Sequence, residues 1–258
     1  MIPILYESTE QQFTSNGIGR LSDAISVKVN EVLNGLYILT MSYPKDGLHY
    51  DDLTVGRLIL AKPNETEQTQ PFRIYKITKG LKRVTVEAKH ISYDLSGYPV
   101  SPFTATGIVP SLNGIVSHVM IQNNPFSVWT DITNDTLSFN LQTVQSFRAC
   151  LGGVEGSILD LSQCEYKWDR FVVKAYAHRG QDNGVTIRYG KNLADFNNDR
   201  STEEASYTGC VAKWENDDNH VTGQIQYVDG HASFPTEKIF ILDASSDFDE
   251  LPTTEQLN

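Results

Sequence analysis

ISVKVNEVLNGLYILTMSYPKDG, residues 25–47, decides the class of fold. Ile25, Val27 and Val29 alternate with Ser26, Lys28 and Asn30, the two-residue period of a strand with one buried face. Asn34-Gly35 follows, and a type I′ turn needs positive φ at both of its central residues, which Asn and Gly tolerate. Residues 36–41 read as the return strand. Tyr43-Pro44-Lys45-Asp46-Gly47 then turns the chain, with Pro fixing φ and Gly permitting positive φ.

The pattern continues downstream. Residues 57–62 (RLILAK), 71–78 (PFRIYKIT) and 83–90 (RVTVEAKH) are further short strands, the last with Val84, Val86 and Ala88 on one face. Strands at this spacing predict a small antiparallel β-barrel-like domain over residues 1–95. Residues 96–110 hold three prolines and two glycines and read as a connector. Ser111 or Asn113 then caps a helix to about residue 122, with Leu112, Ile115, Val116 and Val119 on one face. A second short helix spans about 145–151 and stops at Gly152-Gly153, where glycine serves a left-handed cap; residues 157–162 allow one more helical turn.

Strands resume at 164–168 and 171–177, a hairpin around Asp169-Arg170. Further strands are expected at 184–189, 207–214, 221–228 and 239–242. The expectation is a mainly β protein with minor helices: a barrel-like domain at 1–95, a connector at 96–110 and a second β-rich region at 111–258. Thr253 and Gln256 have the spacing of a capping box, which predicts a helix start. The second region is therefore expected to be cut short near residue 258.

Composition excludes several classes. A chain of 258 residues buries about 70–75% of its unfolded surface and needs no disulfide or metal to build a core. Nothing approaches the ~18 consecutive apolar residues of a spanning helix, so no membrane insertion is expected. The N-terminus lacks the basic and apolar regions of a secretory signal. Cys150, Cys164 and Cys210 are odd in number and show no CxxC spacing, which fits thiols packed as small hydrophobes. The net charge of −11 disfavours polyanions as partners of the general surface. It is unevenly placed: residues 1–100 are neutral and 101–200 carry −1, while 201–258 carry −10. A solvated face is the default for such a stretch.

The search for chemistry yields no catalytic, cofactor-binding or metal residue. Neither HExxH nor G-x-S-x-G occurs. Gly190-Lys191-Asn192 fails as a phosphate loop, because Gly184 lies one residue too far back and Asn192 replaces the Ser/Thr that binds magnesium. The six histidines (49, 90, 118, 178, 220 and 231) show no i, i+4 pair. Two oxygen-rich stretches, residues 215–220 and 243–249, resemble calcium loops only in composition, and solvated turns explain them. Aromatics at alternating strand positions read as core packing, although an aromatic carbohydrate groove stays open.

Several strings occur together in order: Phe13-x-x-Asn16-Gly17-Ile18-Gly19-x-Leu21; Glu31-x-x-Asn34-Gly35-x-Tyr37; Tyr43-Pro44-x-Asp46-Gly47; Gln70-Pro71-Phe72-Arg73-Ile74-Tyr75; His90-Ile91-Ser92-Tyr93-Asp94-Leu95; Gly156-Ser157-Ile158-Leu159; and Arg188-Tyr189-Gly190-Lys191-Asn192-Leu193. The set resembles the N-terminal baseplate-hub region of the siphophage and prophage tail-associated lysins, the prophage endopeptidase tail family, over nearly the whole chain. That resemblance implies a structural hub at the virion tail tip, assembled in the bacterial host cytoplasm. It implies a homotrimeric ring that docks on the distal tail protein hexamer and continues the tail tube and tape measure, with DNA only in transit through a lumen. The lytic activity of such families is expected in a C-terminal region beyond these residues. The alternatives are a peptidoglycan hydrolase acting through paired carboxylates and a cell-surface carbohydrate-binding module.

Overall fold

A computed structural model describes residues 2–180, 184–191, 193, 207–230, 232, 236–248 and 250–258. The chain falls into two compact units, Met1–Asn183 and Gly184–Asn258.

The first unit begins with β1 (Ile4–Tyr6), β2 (Gly19–Arg20), β3 (Ser26–Glu31), β4 (Tyr37–Pro44), β5 (Leu58–Ala61), β6 (Gln70–Lys79) and β7 (Arg83–His90). These seven form one sheet in the order β2-β1-β5-β6-β7-β4-β3, every neighbour antiparallel, curled into a half-barrel. The alternation read from sequence is the inside/outside pattern in β4 and β7, whereas in β3 Val27 and Val29 are half-buried and Ile25, before the strand, is 57% exposed. Tyr37, Leu39, Met41 and Tyr43 of β4 and Val84, Val86 and Ala88 of β7 are all buried. β5 is buried on both faces, as its unbroken apolar run requires. Each large apolar side chain sealed here contributes about 1.5–3 kcal/mol relative to exposure. A bulge between Ile74 and Lys76 resets β6 against β7, and Tyr75 is left 40% exposed.

Two turns differ from expectation. Only Asn34 of the Asn-Gly pair takes positive φ, at 53°, so the turn is not type I′. It is closed by Gly35 N–H to Val32 O at 2.9 Å, inside a Val32 N–H to Leu36 O bond of 2.7 Å. Gly47 does not need positive φ either. A Cβ there would lie 2.5 Å from Cε1 of Tyr43, so the glycine lets the ring pack against the turn. Tyr43 Oη is thereby left to receive the His49 N–H at 3.3 Å.

A 3-10 helix, Ile91–Gly97, leads into β8 (Pro99–Val100), β9 (Phe103–Thr106), α1 (Ile108–Ser117), β10 (Ser127–Thr130), β11 (Ser138–Leu141), β12 (Gln145–Ser146), α2 (Phe147–Leu151), α3 (Ile158–Ser162), β13 (Glu165–Asp169) and β14 (Val172–Tyr176). The 96–110 stretch is thus folded, with Val100 and Ile108 in the core. α1 starts before Ser111, whose Oγ donates back to Gly107 O at 2.6 Å instead of capping. Ser146 and Ser157 do cap α2 and α3. After α2, Gly152 is extended and Gly153 takes the positive φ. β10, β14 and β13 form a small sheet, with β13–β14 the expected hairpin turning at Arg170 (φ 53°). One apolar cluster runs from Leu5 to Ala175.

The second unit contains β15 (Gly209–Glu215), β16 (His220–Thr222), β17 (Gln226–Tyr227) and β18 (Ile239–Asp243), all paired through β15. The expected strand at 221–228 is two short strands, broken where Gly223 approaches the Leu257 carbonyl. At the expected strand 184–189 no strand is assigned among the described residues. Val185, Ile187 and Tyr189 are exposed there, and Tyr189 forms a bridge to Leu193. The capping box does form: Thr253 N–H donates to Gln256 Oε1 at 2.8 Å and Gln256 N–H to Thr253 Oγ1 at 3.4 Å. The turn it starts buries Leu257 beside Trp214 and Ala244.

Candidate functional site

The polar side chains that sequence left unassigned gather along the seam between the large sheet and the β13–β14 hairpin. His90 ends β7 with no exposure, and its ring stacks on Tyr37 at 4.6 Å between centroids. Nδ1 accepts the Ser92 N–H at 3.2 Å, which places the ring proton on Nε2, 3.2 Å from Gln70 Oε1. Gln70 Oε1 also receives the Arg170 N–H at 2.6 Å, and Gln70 Nε2 donates to Asp169 Oδ1 at 3.1 Å. Lys174 Nζ holds the other oxygen of Asp169 at 2.6 Å. Burial, then the cation of Arg148, lowers His90 to a pKa of about 3 against weak opposition from Asp169, so the ring is neutral. A continuous chain of hydrogen bonds therefore crosses from the sheet to the hairpin, and it works because every member is satisfied.

Asn34 adds a second tie. Its Nδ2 donates to Cys164 O at 2.9 Å and its Oδ1 accepts the Tyr166 N–H at 2.8 Å, bracketing the start of β13. Beside it lies a charged cleft of about 610 Å³ lined by Glu31, Glu67, Glu165, Lys167, Tyr176 and Arg179. Arg179 pairs with Glu31 at 2.8 Å and approaches Glu67 at 3.8 Å, while Lys167 lies 3.4 Å from Glu67. Glu165 accepts the Arg179 backbone N–H, and that bond first of all holds its carboxyl below the ordinary range. A hydrolytic general acid needs the opposite shift. The arrangement clamps β3, the loop before β6 and the hairpin together.

The remaining candidates from sequence are placed as follows. His49 contacts Asp52 at 3.0 Å, His118 Nδ1 lies 2.9 Å from Gly114 O, and His178 is exposed 3.6 Å from Glu165. Cys150 and Cys164 are buried, and burial pushes the Cys150 thiol up to about 11. Lys191 lies in a turn, and among the described residues no strand is assigned directly before it. Asn192, His231 and Asp249 lie outside the described residues. Among the described residues no group of three His, Cys, Asp or Glu is placed to hold a metal ion, and no helix is long and apolar enough to cross a membrane.

The structure brings the two oxygen-rich stretches together. Glu215 N–H donates to Ser245 Oγ at 3.0 Å, and Lys213 Nζ sits 2.6 Å from Glu215 and 3.4 Å from Asp243. Asn216 Oδ1 and Asp243 Oδ1 are engaged in their own turns. These are exposed turns built around a lysine. In the first unit, the tip of the β6–β7 hairpin collects positive charge. Lys79, Lys82 and Arg83 are exposed around Leu81, which is 97% exposed, and Lys45 joins them through its N–H bond to Lys82 O at 3.1 Å.

The chain has the fold of phage tail proteins. No family model and no curated protein matches the chain. Solved structures do. The prophage tail protein gp18 of Listeria monocytogenes EGD-e is 13% identical with a TM-score of 0.59, over 94% of this chain and 72% of its own. The 43 kDa tail protein of prophage MuSo2 from Shewanella oneidensis is 11% identical with a TM-score of 0.55, over 100% and 76%. A tail protein of Neisseria meningitidis MC58 is 7% identical with a TM-score of 0.51, over 95% and 71%.

Proposed function

We propose that this chain is a structural component of a phage tail, the baseplate hub. In this reading three copies form a ring that joins the distal tail protein hexamer and the tail tube to the host-contacting tip. The observation that carries it is the shared fold, which spans 94–100% of the chain against tail proteins from three bacteria. The clamped seams suit a part that must hold its shape under load. In the same reading the protein scaffolds and does not cut peptidoglycan, and it works at the virion tail tip after assembly in the host cytoplasm. DNA passes through the lumen without binding.

The test is co-purification with the distal tail protein of the same phage, followed by light scattering and electron microscopy. A ring of three copies seated on a hexamer is expected. A protein that stays monomeric and ignores the distal tail protein, or that releases peptidoglycan fragments, refutes the proposal.

A further inference from the structure

Two surface patches, one on each unit, complement one another. The β6–β7 tip presents an apolar knob, Leu81, with Lys79, Lys82, Arg83 and Lys45 around it. None of these four cations forms an ion pair among the described residues. The second unit presents the inverse. Edge strand β18 leaves Phe240, Ile241 and Leu242 between 43% and 63% exposed. Asp243 continues that strand, and the exposed Glu215, Asp217 and Asp218 of the neighbouring β15–β16 turn stand beside it. Lys213 pairs with Glu215 and Asp243 within this group, and Lys238 lies at the other end of the strip, over the Tyr207 ring that packs on Phe240.

We propose that the β6–β7 tip of one copy docks on the β18 strip and acidic end of a second copy; this rests on the ring reading above. Leu81 is then sealed against Phe240 and Leu242, which share one face of β18, and the cations of the tip face the carboxylates around Asp243. An apolar centre with a charged rim is the arrangement that makes an interface specific. The two patches differ, so the contact is head-to-tail. Such a contact closes into a ring when its rotation permits, and a face-to-face dimer does not form from it.

The test uses the whole chain in three forms, each checked by circular dichroism, with self-association read by sedimentation velocity. The tip form carries Lys79→Glu, Lys82→Glu and Arg83→Glu. The acidic-end form carries Glu215→Lys, Asp217→Lys and Asp218→Lys. The third carries all six substitutions. All six sites are exposed, so folding is expected to survive. In ~0.1 M salt, where screening acts over ~10 Å, each single-patch form should associate at least about tenfold more weakly than wild type. The six-substitution form should return to within about threefold, because the complementarity is restored with its sign inverted. Leu81→Ser should weaken association with the salt dependence retained. Reversals that leave association unmoved, or a six-substitution form as weak as the others, overturn the docking. If the wild-type ring on the distal tail protein persists in those forms, the hub reading stands without it. A wild-type chain that stays monomeric and ignores the distal tail protein removes both. Duplex DNA binding lost in the tip form, with self-association unchanged, assigns the tip to a polyanion and also overturns the proposal.

Discussion

Lowering the pH from 8 to 5 should destabilise this protein through one side chain, His90. Its ring is fully buried between Tyr37 and Phe72, with Nδ1 already accepting from Ser92 N–H and Nε2 donating to Gln70. A second proton would sit on Nδ1, against a donor and in a site that water does not reach. Folding therefore holds the pKa at about 3, where the unfolded chain has ~6.5. Between these values the unfolded state binds the extra proton, so stability rises with pH there. The contribution is complete above pH ~6.5 and is lost as pH falls through the window. At ~1.4 kcal/mol per unit, pH 5 costs about 2 kcal/mol and pH 3 about 4 kcal/mol. Urea midpoints of wild type and His90→Gln at pH 8, 6.5 and 5 measure it. Most carboxylates stay ionised down to pH 5, so the difference between the two slopes belongs mainly to the histidine. NMR of the wild-type imidazole gives a second reading that does not require the variant to fold. Equal losses in both proteins, or a His90 ring that titrates near 6.5 in the native state, would refute the reasoning.

Two further outcomes follow from the packing. Gly47→Ala places a methyl 2.5 Å from Tyr43 Cε1 and 3.0 Å from its Cζ. The ring must move and its link to His49 loosens, costing about 1–3 kcal/mol as a shift in the urea midpoint. Native Cys150, buried and with its thiol raised to about 11, should resist iodoacetamide at pH 8 and react only on unfolding, as mass spectrometry of the alkylated peptides would record.

Most of the large sheet was legible in the sequence because its strands are locally patterned. RVTVEAKH at 83–90 matches β7 residue for residue, since alternation along a strand maps directly onto the two faces of a sheet. The 165–169 and 172–176 hairpin was legible for the same reason. Residues 184–189 carry the same alternation, and among the described residues no strand is assigned there, with Val185, Ile187 and Tyr189 exposed. The Asn34-Gly35 and Gly47 turns were located correctly for incorrect reasons. Their deciding contacts, to Cys164 and Tyr166 in one case and to the Tyr43 ring in the other, do not follow from the turn sequences.

The candidate site was hidden for a related reason. Gln70 and Asp169 stand 99 positions apart, and Arg179 reaches Glu31 across 148. No spacing rule connects residues so distant, and each alone is an ordinary polar side chain near a strand end. The acidic 201–258 block was visible as a count, yet only folding gathered Glu215 and Asp243 around Lys213 and set them beside an exposed apolar strand. By itself the sequence determined the class: a β-rich chain whose strand faces, turns and caps are written in neighbouring residues. The tertiary structure alone decided which distant polar groups meet in the seam and which cations gather without ion pairs, among the described residues, at the β6–β7 tip. Those choices depend on chain reversal and burial, which act between residues that local sequence keeps apart.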